Sequence, residues 1–135
     1  MKTETTGIDL GGLCILIADD EILIGIDMEV TLREAGAEIV GPCTSLADAL
    51  RAAESEGIGA AVLDVRLGRD TSEPIARRLA ARGIPFLFCT GHSLRDDMRA
   101  RLPDAPVLIK PVGTDALVAA VARLVQRRCL RPAGG

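Results

Sequence analysis

Aromatic side chains are nearly missing from this 135-residue chain, which holds Phe86 and Phe88 but no Tyr or Trp. Its core must therefore be aliphatic. A platform for stacking nucleic-acid bases is excluded, and a flavin sandwiched between rings is argued against, because both need flat aromatic faces. Lysine is as scarce, with Lys2 and Lys110 set against fourteen Arg, and His92 is the sole histidine. The four cysteines, Cys14, Cys43, Cys89 and Cys129, are too widely spaced for a zinc site. No signal-peptide pattern precedes them, so the expectation is reduced thiols in a cytoplasmic protein rather than a disulfide framework. No apolar run approaches the ~20 residues of a membrane span. Neither a membrane nor a nucleic acid is expected as a partner.

What the chain does have is aliphatic bulk and unevenly placed charge. Hydrophobic residues make up 48% of it and mean hydropathy is +0.28, enough for one domain with a sizeable core. Residues 1–65 carry three basic and thirteen acidic side chains, whereas residues 66–135 carry thirteen basic and six acidic ones. Arg95, Arg99, Arg101, Arg123 and Arg127, on the last two expected helices, would offer a face to an acidic protein partner.

Along the chain, residues 1–11 read as a loose leader. The run Cys14-Ile-Leu-Ile-Ala ends in Asp19-Asp20, and a continuous apolar run suits a strand buried on both faces. Ile22, Leu23, Ile26, Val30 and Leu32 mark a first helix over Glu21–Ala35, closed by Gly36. Ala37–Gly41 is a second strand. Ser45 with Asp48 opens a second helix ending at Gly57. Gly59-Ala-Ala-Val-Leu is a third strand that stops at Asp64, and a loop rich in Gly, Arg and Asp follows. Ser72 is the expected cap of a third helix with Pro74 in its first turn, running to Arg82. Ile84–Cys89 forms a strand ending at Thr90-Gly91. Ser93 and Asp96 start a fourth helix with Leu94, Met98 and Leu102 facing inward. Val107–Ile109 is the last strand, before Lys110-Pro111, and the final helix starts at Thr114 and frays from Cys129. Strands alternating with helices imply right-handed crossovers and a parallel sheet.

In a parallel sheet, the polar strand ends Asp19-Asp20, Asp64, Thr90 and Lys110 converge on one edge, where open α/β sheets bind ligands. Three clustered carboxylates repel one another unless a cation neutralises them. The donors are hard oxygens, without clustered His or Cys, which selects Mg²⁺. In a chain that otherwise uses Arg, Lys110 suggests a compact point charge for a phosphoryl oxygen. Thr90 adds a hydroxyl donor, and Asp64 is left as the carboxylate able to attack phosphorus.

This ordered set resembles the receiver domain of bacterial two-component response regulators. Asp19-Asp20, Asp64, Thr90 and Lys110-Pro111 match that family's acidic pair, phosphoacceptor, switch hydroxyl and Lys-Pro, and the match runs from about Leu13 to Arg128. The resemblance implies a doubly wound, flavodoxin-like, five-stranded parallel sheet of strand order 2-1-3-4-5. It also implies transfer of phosphate to Asp64 from a histidine kinase or phosphotransfer protein. Asp20, Asp64 and the backbone carbonyl of Arg66 would ligate Mg²⁺, with Asp19 acting through water. Thr90 and Lys110 would contact the phosphoryl group. Pro85-Phe86-Leu87-Phe88-Cys89-Thr90-Gly91 is further similar to single-domain receivers named for a Phe-Ala-Thr-Gly-x-Tyr motif, with Cys89 in place of Ala and Ser93 in place of Tyr. Most receivers place a Tyr or Phe three residues before the lysine, where this chain has Val107.

The organisation expected is a leader over 1–11, a receiver over 12–128 and a tail over 129–135, without an output domain. Such a protein signals by protein contact or drains phosphate from another regulator, and is a switch rather than a metabolic enzyme. The rival reading is a receiver-like adaptor that works without phosphorylation.

Overall fold

Ile15, Leu16, Ile17 and Ala18 are all fully buried, as a strand covered on both faces requires. The computed structural model describes residues 7–91 and 102–130. Within them run β1 (Cys14–Ala18), α1 (Ile22–Glu34), β2 (Glu38–Cys43), α2 (Leu46–Ala52), β3 (Ala60–Leu63), β4 (Arg66–Leu67), β5 (Asp70–Thr71), α3 (Glu73–Ala81), β6 (Phe86–Thr90), β7 (Val107–Ile109) and α4 (Thr114–Leu130). Five strands form one parallel sheet in the order β2-β1-β3-β6-β7, which is the expected 2-1-3-4-5 once the small β4–β5 hairpin is set aside.

Alternation along each strand divides the core between the two faces of the sheet. Ile15, Ile17, Val62 and Leu87 pack with Met28 and Leu32 of α1 and Leu117 and Val121 of α4. Leu16, Leu63, Phe86 and Phe88 pack with Ala49 of α2 and Ile75 and Leu79 of α3. Each fully buried aliphatic side chain contributes about 1.5–3 kcal/mol, so these two layers carry the fold. The two Phe rings meet edge to face, 5.7 Å apart and at 72°.

Several local expectations need correction. Of the five apolar residues that signalled α1, four face solvent: Leu23 is 79% exposed and Ile22, Ile26 and Val30 are each over 40%, and only Leu32 turns inward. The buried face is Gly25, Met28, Thr31 and Leu32, because Gly25 packs so closely on Pro42 that a Cβ there would lie 2.7 Å from the proline Cβ. The end of the supposed leader is docked, with Leu10 buried and its N–H donating to the Ala35 carbonyl at 2.7 Å. The loop after Asp64 contains an antiparallel hairpin, Arg66 opposite Thr71 and Leu67 opposite Asp70.

Ser45 caps α2 as expected, accepting from the Asp48 N–H at 3.2 Å, but the helix stops at Ala52 rather than at Gly57. Ser72 stands at the start of α3 without making a cap bond; its Oγ is buried and has no hydrogen-bond partner among the described residues. Gly36 closes α1 at φ +107°, the left-handed conformation a C-terminal cap needs. α4 stays helical to Leu130, beyond the expected fraying at Cys129. The fourth helix of the sequence reading lies outside the described residues, apart from Leu102, which is buried.

Candidate functional site

Parallel pairing brings the strand ends together through the main chain. The Asp19 N–H donates to the Cys43 carbonyl at 2.9 Å, the Asp64 N–H to Ala18 at 2.8 Å, and the Lys110 N–H to Thr90 at 2.8 Å. The side chains sequence reasoning singled out are thereby gathered on one edge of the sheet. Asp19 is fully buried, while Asp64 and Thr90 are each 7% exposed.

Lys110 is the hub. Its Nζ lies 2.7 Å from Asp19 Oδ2, 3.0 Å from Asp64 Oδ2 and 3.5 Å from Glu21 Oε1. The contact with Asp64 is an aligned hydrogen bond. The one with Asp19 is the shorter of the two, a buried ion pair made through Asp19 Oδ2. Asp19 Oδ1 accepts from the Glu21 N–H at 2.9 Å, which fixes the turn into α1. The exposed Asp20 accepts through Oδ2 from the N–H of Gly68, 2.9 Å away on the hairpin. Arg66 carries an exposed side chain, and its N–H approaches Asp64 Oδ1 at 3.4 Å.

Burial raises the Asp64 pKa above the ordinary carboxylate value; the Lys110 ammonium opposes this, the Asp19 charge adds to it, and the net shift is upward. Burial pulls the Lys110 pKa down, but the Asp19 and Asp64 carboxylates outweigh it and hold the ammonium well above a normal lysine. Behind the site, burial pushes the Cys89 thiol up to about 11, despite the moderating Lys110 charge. A cavity of about 360 Å³ between α1 and the ends of β6 and β7 is lined by Ile24, Met28, Cys89, Val112 and Lys110, among others.

Carboxylate oxygens of Asp19, Asp20, Glu21 and Asp64 all lie within 4.8 Å of one another. One ammonium cannot balance four such groups, so the edge keeps an excess of negative charge. This donor set fits a hard divalent cation such as Mg²⁺, which takes oxygen ligands and retains waters. Sequence reasoning missed two participants. Glu21, directly after the acidic pair, was read as the first residue of a helix; its place beside two acids was the available signal. Gly68 contributes only a backbone N–H, which leaves no mark in the sequence beyond the glycine itself.

No protein-family model matches the chain. The transcriptional regulatory protein PdtaR of Mycobacterium tuberculosis, in strains CDC 1551 and H37Rv, is 35% identical over 116 residues, which is 84% of this chain and 57% of the relative. The chain therefore spans little over half the length of these curated relatives. A response regulator receiver protein from Sinorhizobium medicae, solved as a crystal structure, is 31% identical at a TM-score of 0.75, covering 89% of this chain and 99% of that one. A CheY-like receiver domain protein from Methanospirillum hungatei aligns at a TM-score of 0.76 and 21% identity over 86% of this chain, a likeness of fold alone.

Proposed function

The chain belongs to the response regulator receiver family, and from that premise we propose that it is a phosphorylatable switch whose phosphoacceptor is Asp64. The observation that supports this best is the contact of Lys110 Nζ with Asp64 Oδ2 at 3.0 Å, at a strand edge crowded with carboxylates. Receivers take their phosphoryl group from a histidine kinase or a phosphotransfer protein, and the same class of donor is proposed here.

In the reaction, an Asp64 carboxylate oxygen attacks the phosphorus of a phosphohistidine. The P–N bond breaks, and its electron pair returns to the leaving imidazole, which takes up a proton. A bound Mg²⁺, held by Asp20, Asp64 and the Arg66 carbonyl with Asp19 acting through water, would neutralise the carboxylates and the phosphoryl oxygens. Lys110 supplies a fixed positive charge to the transferred group, and Thr90, at the end of β6, supplies a hydroxyl donor. The output is contact with another protein or drainage of phosphate from another regulator. An acidic partner on the basic C-terminal half remains part of this proposal: Arg123 is exposed on α4, while Arg95, Arg99, Arg101 and the side chain of Arg127 lie outside the described residues.

The test is intact mass after incubation with Mg²⁺ and a small phosphodonor. Wild type should gain the mass of one phosphoryl group, and Asp64→Asn should not. A phosphorylated Asp64→Asn species would overturn the assignment.

A further inference from the structure

Asp20 is held differently from the other two aspartates of the site. Asp19 and Asp64 are buried and sit against Lys110, whereas Asp20 is exposed and is reached by a main-chain donor 48 positions along the chain. That donor, Gly68, is at the tip of the β4–β5 hairpin.

The hairpin is anchored for this task. Leu67 is 2% exposed and packs in the core layer that holds Ile75 and Leu79. The Ser72 N–H closes its base on the Val65 carbonyl at 2.8 Å. Between Leu67 and Asp70, two residues make the turn, with Gly68 at φ +64° and Arg69 not in the positive-φ region. A positive φ at the first central position marks the primed turns, which match strand twist and demand a residue tolerant of positive φ there. Space does not explain the glycine, since a Cβ on Gly68 would meet nothing within 4 Å. The requirement lies in the backbone conformation that aims the N–H at Asp20.

We propose that Gly68 is a positioning residue: the β4–β5 hairpin uses its tip N–H to hold one carboxylate oxygen of Asp20, orienting that side chain toward Asp19 and Asp64 and thereby setting Mg²⁺ affinity. This rests on the reading of the acidic edge as a Mg²⁺ site. Groups that hydrogen-bond a metal ligand from behind restrict its orientation, and their loss typically weakens binding about ten- to a hundredfold. The hairpin thus links a segment with two exposed arginines, Arg66 and Arg69, to the cation on which phosphorylation depends.

Mg²⁺ titration of the full chain without phosphodonor, followed by calorimetry and amide NMR, tests this. Gly68→Val resists positive φ and should withdraw the N–H, weakening Mg²⁺ binding about ten- to a hundredfold. Gly68→Asn tolerates positive φ, keeps the N–H and should bind like wild type. Metal-free melting curves establish that both variants fold. Should Gly68→Val not fold, hydrogen exchange decides: the Gly68 amide should be protected in wild type and in Asp20→Asn, which keeps an acceptor, and unprotected in Asp20→Ala. Wild-type affinity in Gly68→Val, or equal exchange of the Gly68 amide in wild type and Asp20→Ala, overturns the hairpin's role. A wild type that binds no Mg²⁺ overturns the functional reading as well, which separates the two failures.

Discussion

Asp64 is placed where ionisation is costly, and its pKa is raised by burial even after Lys110 has opposed the shift. A carboxyl that binds its proton more tightly in the folded state contributes stability below its unfolded pKa and loses it as pH rises through the folded value. Lys110, also shifted upward, contributes stability below the ordinary lysine pKa and loses it only at strongly alkaline pH. At pH 7 and without metal, Asp64 is therefore a net burden on the fold. Asp64→Asn should melt higher than wild type there, by on the order of 1 kcal/mol, with the advantage shrinking as pH falls through the raised folded pKa and gone below the ordinary carboxylate value of about 4. Added Mg²⁺ should stabilise wild type more than the variant; a metal-free Asp64→Asn protein that melts lower at pH 7 would count against this. Cys89, with its thiol pushed up to about 11 and 1% exposed, should resist alkylation at pH 8 until the protein unfolds, as peptide mapping can show. The clustering of Asp19, Asp20, Asp64 and Lys110 could be read from the chain because a parallel sheet delivers every strand's carboxyl end to one edge. Glu21 follows the acidic pair directly but also reads as an ordinary helix start, and Gly68 acts through a group that every residue except proline carries.

α1 shows how an element can be found for the wrong reason. Its apolar residues repeat at helical spacing, so the helix is legible, but the spacing does not say which face turns inward. Contact with Pro42 decides that: the helix seats Gly25 against the proline ring, which turns Met28 and Leu32 into the core and leaves Leu23 in solvent. Leu23→Ser should therefore change stability by no more than about 0.5 kcal/mol, whereas Leu32→Ala should cost about 2–5 kcal/mol. Gly25→Ala should cost about 1–3 kcal/mol by overpacking against the ring. Denaturant melts of the three variants check the orientation, and a large loss from Leu23→Ser would show that the helix buries the other face. The β4–β5 hairpin was illegible for a different reason. Two residues per strand are too few for any alternation to register, and Arg66, Arg69 and Asp70 are as common in loops.

At the scale of the molecule, the parallel sheet follows from strands that alternate with helices, with the buried runs β1, β3 and β6 at its centre and half-buried β2 and β7 at its edges; its order was implied by the receiver resemblance, and its two core layers follow from strand alternation. How a change at the site would travel outward is less plain, because the lever that most receivers use is missing. Val107 occupies the aromatic position on β7, half-buried and paired in register with Phe88. A β-branched side chain has one strongly preferred rotamer and cannot report by swinging. β6 and β7 are locked together up to the Thr90 carbonyl, which accepts from the Lys110 N–H. Beyond Thr90 comes Gly91, exposed and with open space where a Cβ would sit. If Thr90 is drawn toward a phosphoryl group on Asp64, Gly91 is the described residue at which the main chain can yield, since a glycine permits rearrangement at little steric cost. A phosphoryl mimic with Mg²⁺ should therefore move amide resonances most from Thr90 to Met98 while the Val107 methyl rotamer stays unchanged. A rotamer change at Val107 with the 90–98 amides silent would place the route through the β7 edge instead.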